Sequence, residues 1–314
     1  MKYSVSVFVG AASYGVLSTI VVLAYQSGFQ LGEIVGTQLL TGVLLSWLSV
    51  LYIQKRKSAK TDGGRGNQGD DSSYTSLTWR QRGLLMLAGA PTVITGLLYY
   101  QSLRYIPASL AIILLFQFTW IGVAIQAVLT CRRPGKNMLL ALLVILAGTL
   151  LAAGVLGEAA VPFDRWGILF GLLAAVSYSC FILFSGRVVS SAHPISRSAW
   201  MVTGGFILLV ILFPPYFLFN GLLWGPLLLF GALLGFFGAF LPPLLFAIGV
   251  PHVGEGMAGI LGAAELPVAV LMSSLVLHEP VGEVRWLGVA LILAGVALPE
   301  LRKLRKRSNS SLAS

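Results

Sequence analysis

Glu265 is the residue whose type and setting most directly suggest chemistry. It stands near the middle of MAGILGAAELPVAVLMSSLVL, residues Met257–Leu277, a stretch of 21 residues that is otherwise almost entirely apolar. At a rise of about 1.5 Å per residue such a stretch crosses a bilayer, with the carboxylate close to the midplane. A central carboxylate costs about 2.5–3.5 kcal/mol on insertion scales. Protonating a glutamic acid of reference pKa about 4.3 at pH 7 costs roughly 3.7 kcal/mol. The two costs are close, so a small change in hydration tips the group between charged and neutral. A proton-coupled carrier can use that property. Pro267, two residues on, removes a backbone hydrogen bond and crowds the carbonyl near Ala263, which predicts a kink beside the carboxylate.

Other polar groups sit at similar depth. Gln117 and Trp120 occupy the fourth apolar run, where an amide and an indole suit either a cavity wall or core packing. Ser13-Tyr14 and Ser177-Tyr178 fall near the centres of the first and sixth runs, where hydroxyls bond a substrate or a neighbouring helix. Pro242-Pro243 breaks the eighth run. Glu33 opens the second run, and Tyr99-Tyr100 close the third, where they read as interfacial anchors.

Absences narrow the chemistry. No Lys or Arg falls mid-run, which disfavours a phosphorylated substrate, although helix N-termini also bind anions. His193, His252 and His278 lie far apart in connections without metal-ligand spacing. No Ser/His/Asp set shares one depth and no H-E-x-x-H occurs, which argues against an enzyme. The Gly-rich TDGGRGNQGDDSS lacks the lysine and flanking strand of a phosphate loop. Cys131 and Cys180 suggest no disulfide framework. No cofactor is expected.

The elements that must position these groups are apolar helices. Hydrophobic residues make up 57% and charged residues 10% of 314, with mean hydropathy +0.87. A soluble domain carries about 25% charge, so the chain reads as an all-α integral membrane protein. Its runs are continuous, without the alternation of barrel strands. Ten are countable: about 3–25, 31–54, 82–103, 107–130, 137–156, 166–186, 195–218, 225–249, 255–277 and 284–300. If the N-terminus is cytoplasmic, 18 of the 21 basic residues fall inside, and only Arg104, Arg165 and Arg285 fall outside. Both termini are therefore expected in the cytoplasm, in a multi-pass protein of the cell membrane. The net charge of +10 is then a topology signal and not a nucleic-acid footprint. The segment 55–82 reads as a disordered cytoplasmic loop, with Thr78 and Gln81 as a capping box for the third span.

The chain also repeats itself. A shift of 147 residues aligns Ile145-Leu146-Ala147-Gly148 with Ile292-Leu293-Ala294-Gly295, Ala111 with Ala258, and Leu114 with Leu261. A shift of 164 brings Ser13-Tyr14 onto Ser177-Tyr178. Each half holds five spans, an odd number, so the second half is expected upside down relative to the first. The expected units are a first repeat over 1–156 with its loop at 55–80, a second over 166–300, and a basic tail at 301–314.

Two blocks carry a family resemblance: SLRYIPASLAIILL with LLVILAGTLL, and AAELPVAVLMSSLVLHEPVGEVRWLGVALILAGVAL. With them the sequence resembles the EamA type of the drug/metabolite transporter superfamily. Phe118-Thr119-Trp120 stands where that family often has a proline, and Gln38 where it often has an arginine. The resemblance implies a secondary transporter working by alternating access, an exporter of a small neutral, zwitterionic or cationic metabolite or drug. Proton coupling is open, as is a homodimer. The partners expected are the small-molecule substrate, the lipid bilayer and protons, with no nucleic acid. The alternative is a membrane sensor or scaffold that docks partners through the 55–82 loop.

Overall fold

A chain in lipid has no water to satisfy its amides, so apolar runs of this length must close their hydrogen bonds internally as helices. In the computed structural model the described residues are 2–61, 77–102, 104–106, 108–131, 134–152, 164–219, 221–278, 282–284, 286–295 and 297–298, and they contain helices, turns and no strand. The α-helices are α1 (Lys2–Gln26), α2 (Leu31–Thr61), α3 (Trp79–Ser102), α4 (Ala108–Leu115), α5 (Phe118–Thr130), α6 (Lys136–Ala152), α7 (Arg165–Arg187), α8 (Pro194–Leu212), α9 (Pro226–Leu234), α10 (Leu241–Val253), α11 (Glu255–Gly262) and α12 (Glu265–Val276), followed by α13 (Trp286–Gly295). Seven helical stretches among them are long and apolar enough to cross a membrane, and three shorter apolar helices accompany them. The chain is an all-α membrane protein.

Three predicted runs are not single straight helices. The run at 107–130 is α4 and α5, separated by Phe116-Gln117, and the run at 255–277 is α11 and α12, separated by Ala263-Ala264. The two breaks lie 147 residues apart, and α4 and α11 are both 8 residues long. Both breaks tighten to three-residue bonding: Gln117 N–H donates to Leu114 O at 3.2 Å and Ala264 N–H to Leu261 O at 3.2 Å. The kink expected from Pro267 is present. Its counterpart arises without a proline, because Thr119 Oγ1 donates to Phe116 O at 2.9 Å and stabilises the freed carbonyl. In the third case, α9 and α10 are joined through a π-helical segment, Gly235–Phe240, ahead of Pro242-Pro243.

The segment expected to be a disordered loop also differs from expectation at one end. α2 continues to Thr61, so residues 55–61 are helical; residues 62–76 and the tail at 301–314 lie outside the described residues. At the loop's far end the capping box forms in both directions. Thr78 N–H donates to Gln81 Oε1 at 2.9 Å, and Gln81 N–H to Thr78 Oγ1 at 3.3 Å.

The helices pack in a consistent set of neighbours. α1 lies on α10, α11 and α12, α3 on α7 and α8, α7 on α4 and α5, and α2 on α8 and α9, while α5 meets α11. Small residues allow the backbones to touch, as membrane interfaces require. A Cβ at Gly89 would strike the Met201 carbonyl, and one at Gly204 would strike that of Met86, so α3 and α8 receive each other's backbone reciprocally. α6 and α13 do the same: Gly148 faces Ile292, and Gly295 faces Ile145.

Candidate functional site

The break before α12 places Glu265 in an internal cavity. The cavity measures about 110 Å³ and lies among α1, α2, α3, α4, α7, the π-helical segment and α12. Tyr14 and Gly15 come from α1, Gln38 from α2, Tyr99 and Tyr100 from the end of α3, Phe116 from the first break, and Tyr178 from α7. Gly15 has a specific reason to be there. A Cβ at that position would hit the Glu265 carbonyl oxygen, so only glycine lets α1 settle on the break with Tyr14 beside the carboxylate.

The chemistry of the wall is one carboxylate among phenols. Tyr14, Tyr99, Tyr100 and Tyr178 all lie within electrostatic reach of Glu265. Tyr14 and Tyr178 meet edge to face, with ring centroids 5.8 Å apart. Phe118 backs Tyr178 at 4.6 Å and has 0% exposure. Among the described residues, no Lys or Arg lines the cavity. Apart from the contact between the Tyr178 and Glu265 side chains, Tyr14 Oη, Tyr178 Oη and Glu265 Oε2 are buried without a hydrogen-bond partner among the described residues. Buried polar atoms are normally satisfied, so under-satisfied oxygens on three residues of one cavity wall single it out as the candidate binding site.

The other sequence candidates are placed differently. Ser13 and Ser177 do not line the cavity. Ser13 Oγ donates to Phe237 O at 2.7 Å and Ser177 Oγ to Pro91 O at 2.8 Å, each tying two helices together. The first bond has a clear cause. In the π-helical segment Leu241 N–H reaches back to Phe236 O, and the next donor, which would serve Phe237 O, is missing because residue 242 is proline. Pro242 and Pro243 are buried in the first turn of α10, and Pro267 in the first turn of α12. Gln117 and Trp120 are also absent from the cavity wall. The Trp120 indole donates to Gln117 Oε1 at 2.7 Å and is 44% exposed on the outside of the bundle. The inward-facing groups at this break are Phe116, which lines the cavity, and Phe118, which packs on Tyr178.

Tyr99 and Tyr100 correct the sequence expectation most usefully. They are buried cavity residues and not interfacial anchors, because the end of α3 turns in against α4 and α7. Gln38, Thr92 and Ser18 are further polar lining that the sequence reading did not select. Gln38 had a signal, since it stands where related sequences often carry arginine. Thr92 and Ser18 had none beyond polarity in an apolar run.

At the opposite end, where α1 begins, the bundle is closed. Arg187 Nε pairs with Glu255 Oε1 at 2.6 Å, and Gly256 N–H donates to Gln126 Oε1 at 2.8 Å. Tyr3 stacks on His252 with ring centroids 3.7 Å apart. Arg197 is 1% exposed near the start of α8. Its guanidinium donates to Ala247 O at 3.0 Å and to Ser185 O, joining the ends of α7, α8 and α10.

Comparison with known proteins agrees with this architecture. The model of the EamA-like transporter family matches residues 165–299. The uncharacterized inner membrane transporter YicL of Salmonella typhimurium (strain LT2) is 28% identical over 244 residues, covering 75% of this chain and 79% of that protein. A solved crystal structure superimposes with a TM-score of 0.66 over 95% of this chain and 98% of its own, at 19% identity, a likeness of fold. The second half of the chain is thus similar to the EamA-like transporter family, in an apolar helical bundle that encloses a polar cavity.

Proposed function

We propose that the protein is a ten-span secondary transporter, two inverted five-span repeats that carry a small solute across the cell membrane by alternating access, with Glu265 as the recognition and coupling carboxylate. The observation that carries this reading is the cavity: a lone carboxylate ringed by tyrosines, set between two interrupted helices. Broken helices at mid-membrane are where such carriers place their sites.

Several features support the inverted repeat. The two breaks share the 147-residue offset of the sequence repeat. The packing of α1 on α10 is matched by that of α7 on α3, and α1 on α11 and α12 by α7 on α4 and α5. Gly148 with Ile292, and Gly295 with Ile145, form one contact seen from both sides of a local two-fold axis. Seven long helices and three shorter apolar ones supply the ten spans.

The basic residues support cytoplasmic termini. With that orientation, the cavity runs from Glu265 toward the outer ends of α1 and α3 and the outer start of α2, and the Arg187–Glu255 end faces the cytoplasm. A cavity reaching outward, with no basic side chain in its wall, suits release of a neutral, zwitterionic or cationic solute, hence export coupled to protons. Comparing metabolites in the medium of cells with and without the protein identifies the solute. Reconstitution in liposomes under an imposed pH gradient then tests the mechanism. Wild-type protein is expected to accumulate the solute against its gradient. Glu265→Gln carrying it at the wild-type rate, with the same response to pH, overturns the coupling role.

A further inference from the structure

The orphaned atoms of the cavity define its ligand more closely than the transporter reading does. Glu265, Tyr14 and Tyr178 line one cavity, and Glu265 Oε2, Tyr14 Oη and Tyr178 Oη are buried there with no polar partner beyond the contact between the Tyr178 and Glu265 side chains. Tyr178 is 5% exposed, and its ring is fixed between Phe118 at 4.6 Å and Phe181 at 6.0 Å. The Tyr14 ring is held by Tyr178 and by Phe246 at 6.2 Å. The two rings are therefore held by packing, and the side chains that carry the phenol oxygens are preorganised.

A primary ammonium carries one positive charge and three N–H donors. It is the small ion that satisfies a carboxylate and two phenol oxygens together, while the aromatic faces accept its charge. Each phenol keeps its own proton for the second carboxylate oxygen or for a carbonyl on the ligand. A quaternary ammonium has the charge without donors, and leaves all three acceptors dry and unpaired. An amino acid brings the ammonium together with a carboxylate, and no basic side chain lines the cavity to receive it.

We propose that this cavity is a site for small primary amines, read through their three N–H groups by Glu265, Tyr14 and Tyr178, and that it selects against quaternary ammonium ions and free amino acids. The proposal rests on Glu265 being the recognition group, and it adds the class of molecule recognised.

The test is calorimetric titration of the purified full-length protein in detergent at pH 7. Two probe series are used, propylamine and phenethylamine, each with its N-methyl, N,N-dimethyl and N,N,N-trimethyl derivatives, together with phenylalanine. At least one series is expected to bind, weakening about tenfold for each N–H removed, since every lost bond strands an acceptor beside a charge. Phenylalanine is expected to bind at least tenfold more weakly than phenethylamine. Tyr14→Phe and Tyr178→Phe keep the ring packing. Each is expected to weaken the primary amine about tenfold and leave the trimethyl derivative unchanged, a pattern that a purely structural role does not produce. Trimethyl derivatives binding within threefold of the primary amine, or no binding by either series, overturns the proposal. Failure of the transporter reading is separable: amine binding without flux in liposomes sinks transport and keeps the site. Flux of a solute without an amino group, with no amine binding, does the reverse.

Discussion

At the scale of single residues, the site depends on side chains that are absent as much as on those present. Gly15 is the clearest case, because its bare Cα lets α1 rest on the Glu265 carbonyl. Gly15→Ala inserts a methyl group into a closed backbone contact and is expected to cost about 1–3 kcal/mol, the usual range for overpacking. A drop in melting temperature, with a loss of solute flux larger than the stability change explains, is the expected pair of results. Trp120→Phe makes the opposite point. The indole lies on the outside of the bundle and bonds to Gln117, so flux is expected to stay within about twofold of wild type. A severe transport defect in that variant would show that the outer face of α5 takes part in the cycle.

At the scale of elements, hydrogen bonds explain where helices give way. Ser13→Ala leaves Phe237 O without its donor, and an unsatisfied buried carbonyl costs about 1–3 kcal/mol. Pro242→Ala restores the missing amide. In that background the serine is expected to matter less, so a double-mutant cycle on thermal unfolding should show clear coupling. Strictly additive effects would mean that the π-helical segment has another cause. This logic also marks how far the sequence could be read. The break before α12 was legible because Pro267 announces it. The matching break at Phe116-Gln117 was not, because a threonine hydroxyl and local three-residue bonding make it without a proline. Glu265 was legible as a charge in an apolar run. Tyr99 and Tyr100 were not, because aromatic residues near a helix end look alike whether they turn to the interface or inward. The turn of α3 against α4 and α7 decides between these, and it is a tertiary fact. Ser13 and Ser177 were found for their depth, and their hydroxyls then proved committed to neighbouring carbonyls.

At the scale of the whole molecule, the two ends of the bundle are unequal. The offsets that relate the halves carry Arg187 back to Leu23 and Glu255 back to Ala108, so the ion pair at the closed end has no charged equivalent at the other. α7 packs against α11 there, and among the described residues α1 and α4 share no comparable packing. Arg187→Ala is expected to increase the separation between the ends of α5 and α7. Spin labels at Thr130→Cys and Ser190→Cys, in a background with Cys131 and Cys180 replaced by serine, would report it. The exchanged pair Arg187→Glu with Glu255→Arg should restore the short distance, and high salt should mimic the alanine variant. An unchanged distance in Arg187→Ala would mean that the closed end is held by packing alone.

That inequality has an energetic consequence for the alternating-access cycle proposed above. If both halves were identical, the inward- and outward-facing forms would be mirror states of equal energy, populated evenly at rest. In that cycle the form seen in the structure carries an ion pair, partly open to solvent, that the offset-related positions have no charged residues to match, an interaction of about 0.5–1 kcal/mol. A tilt of that size changes a population ratio by no more than about fivefold. It makes one resting state the majority without trapping it, and binding of a solute or a proton, which contributes far more, can reverse the preference at every turnover.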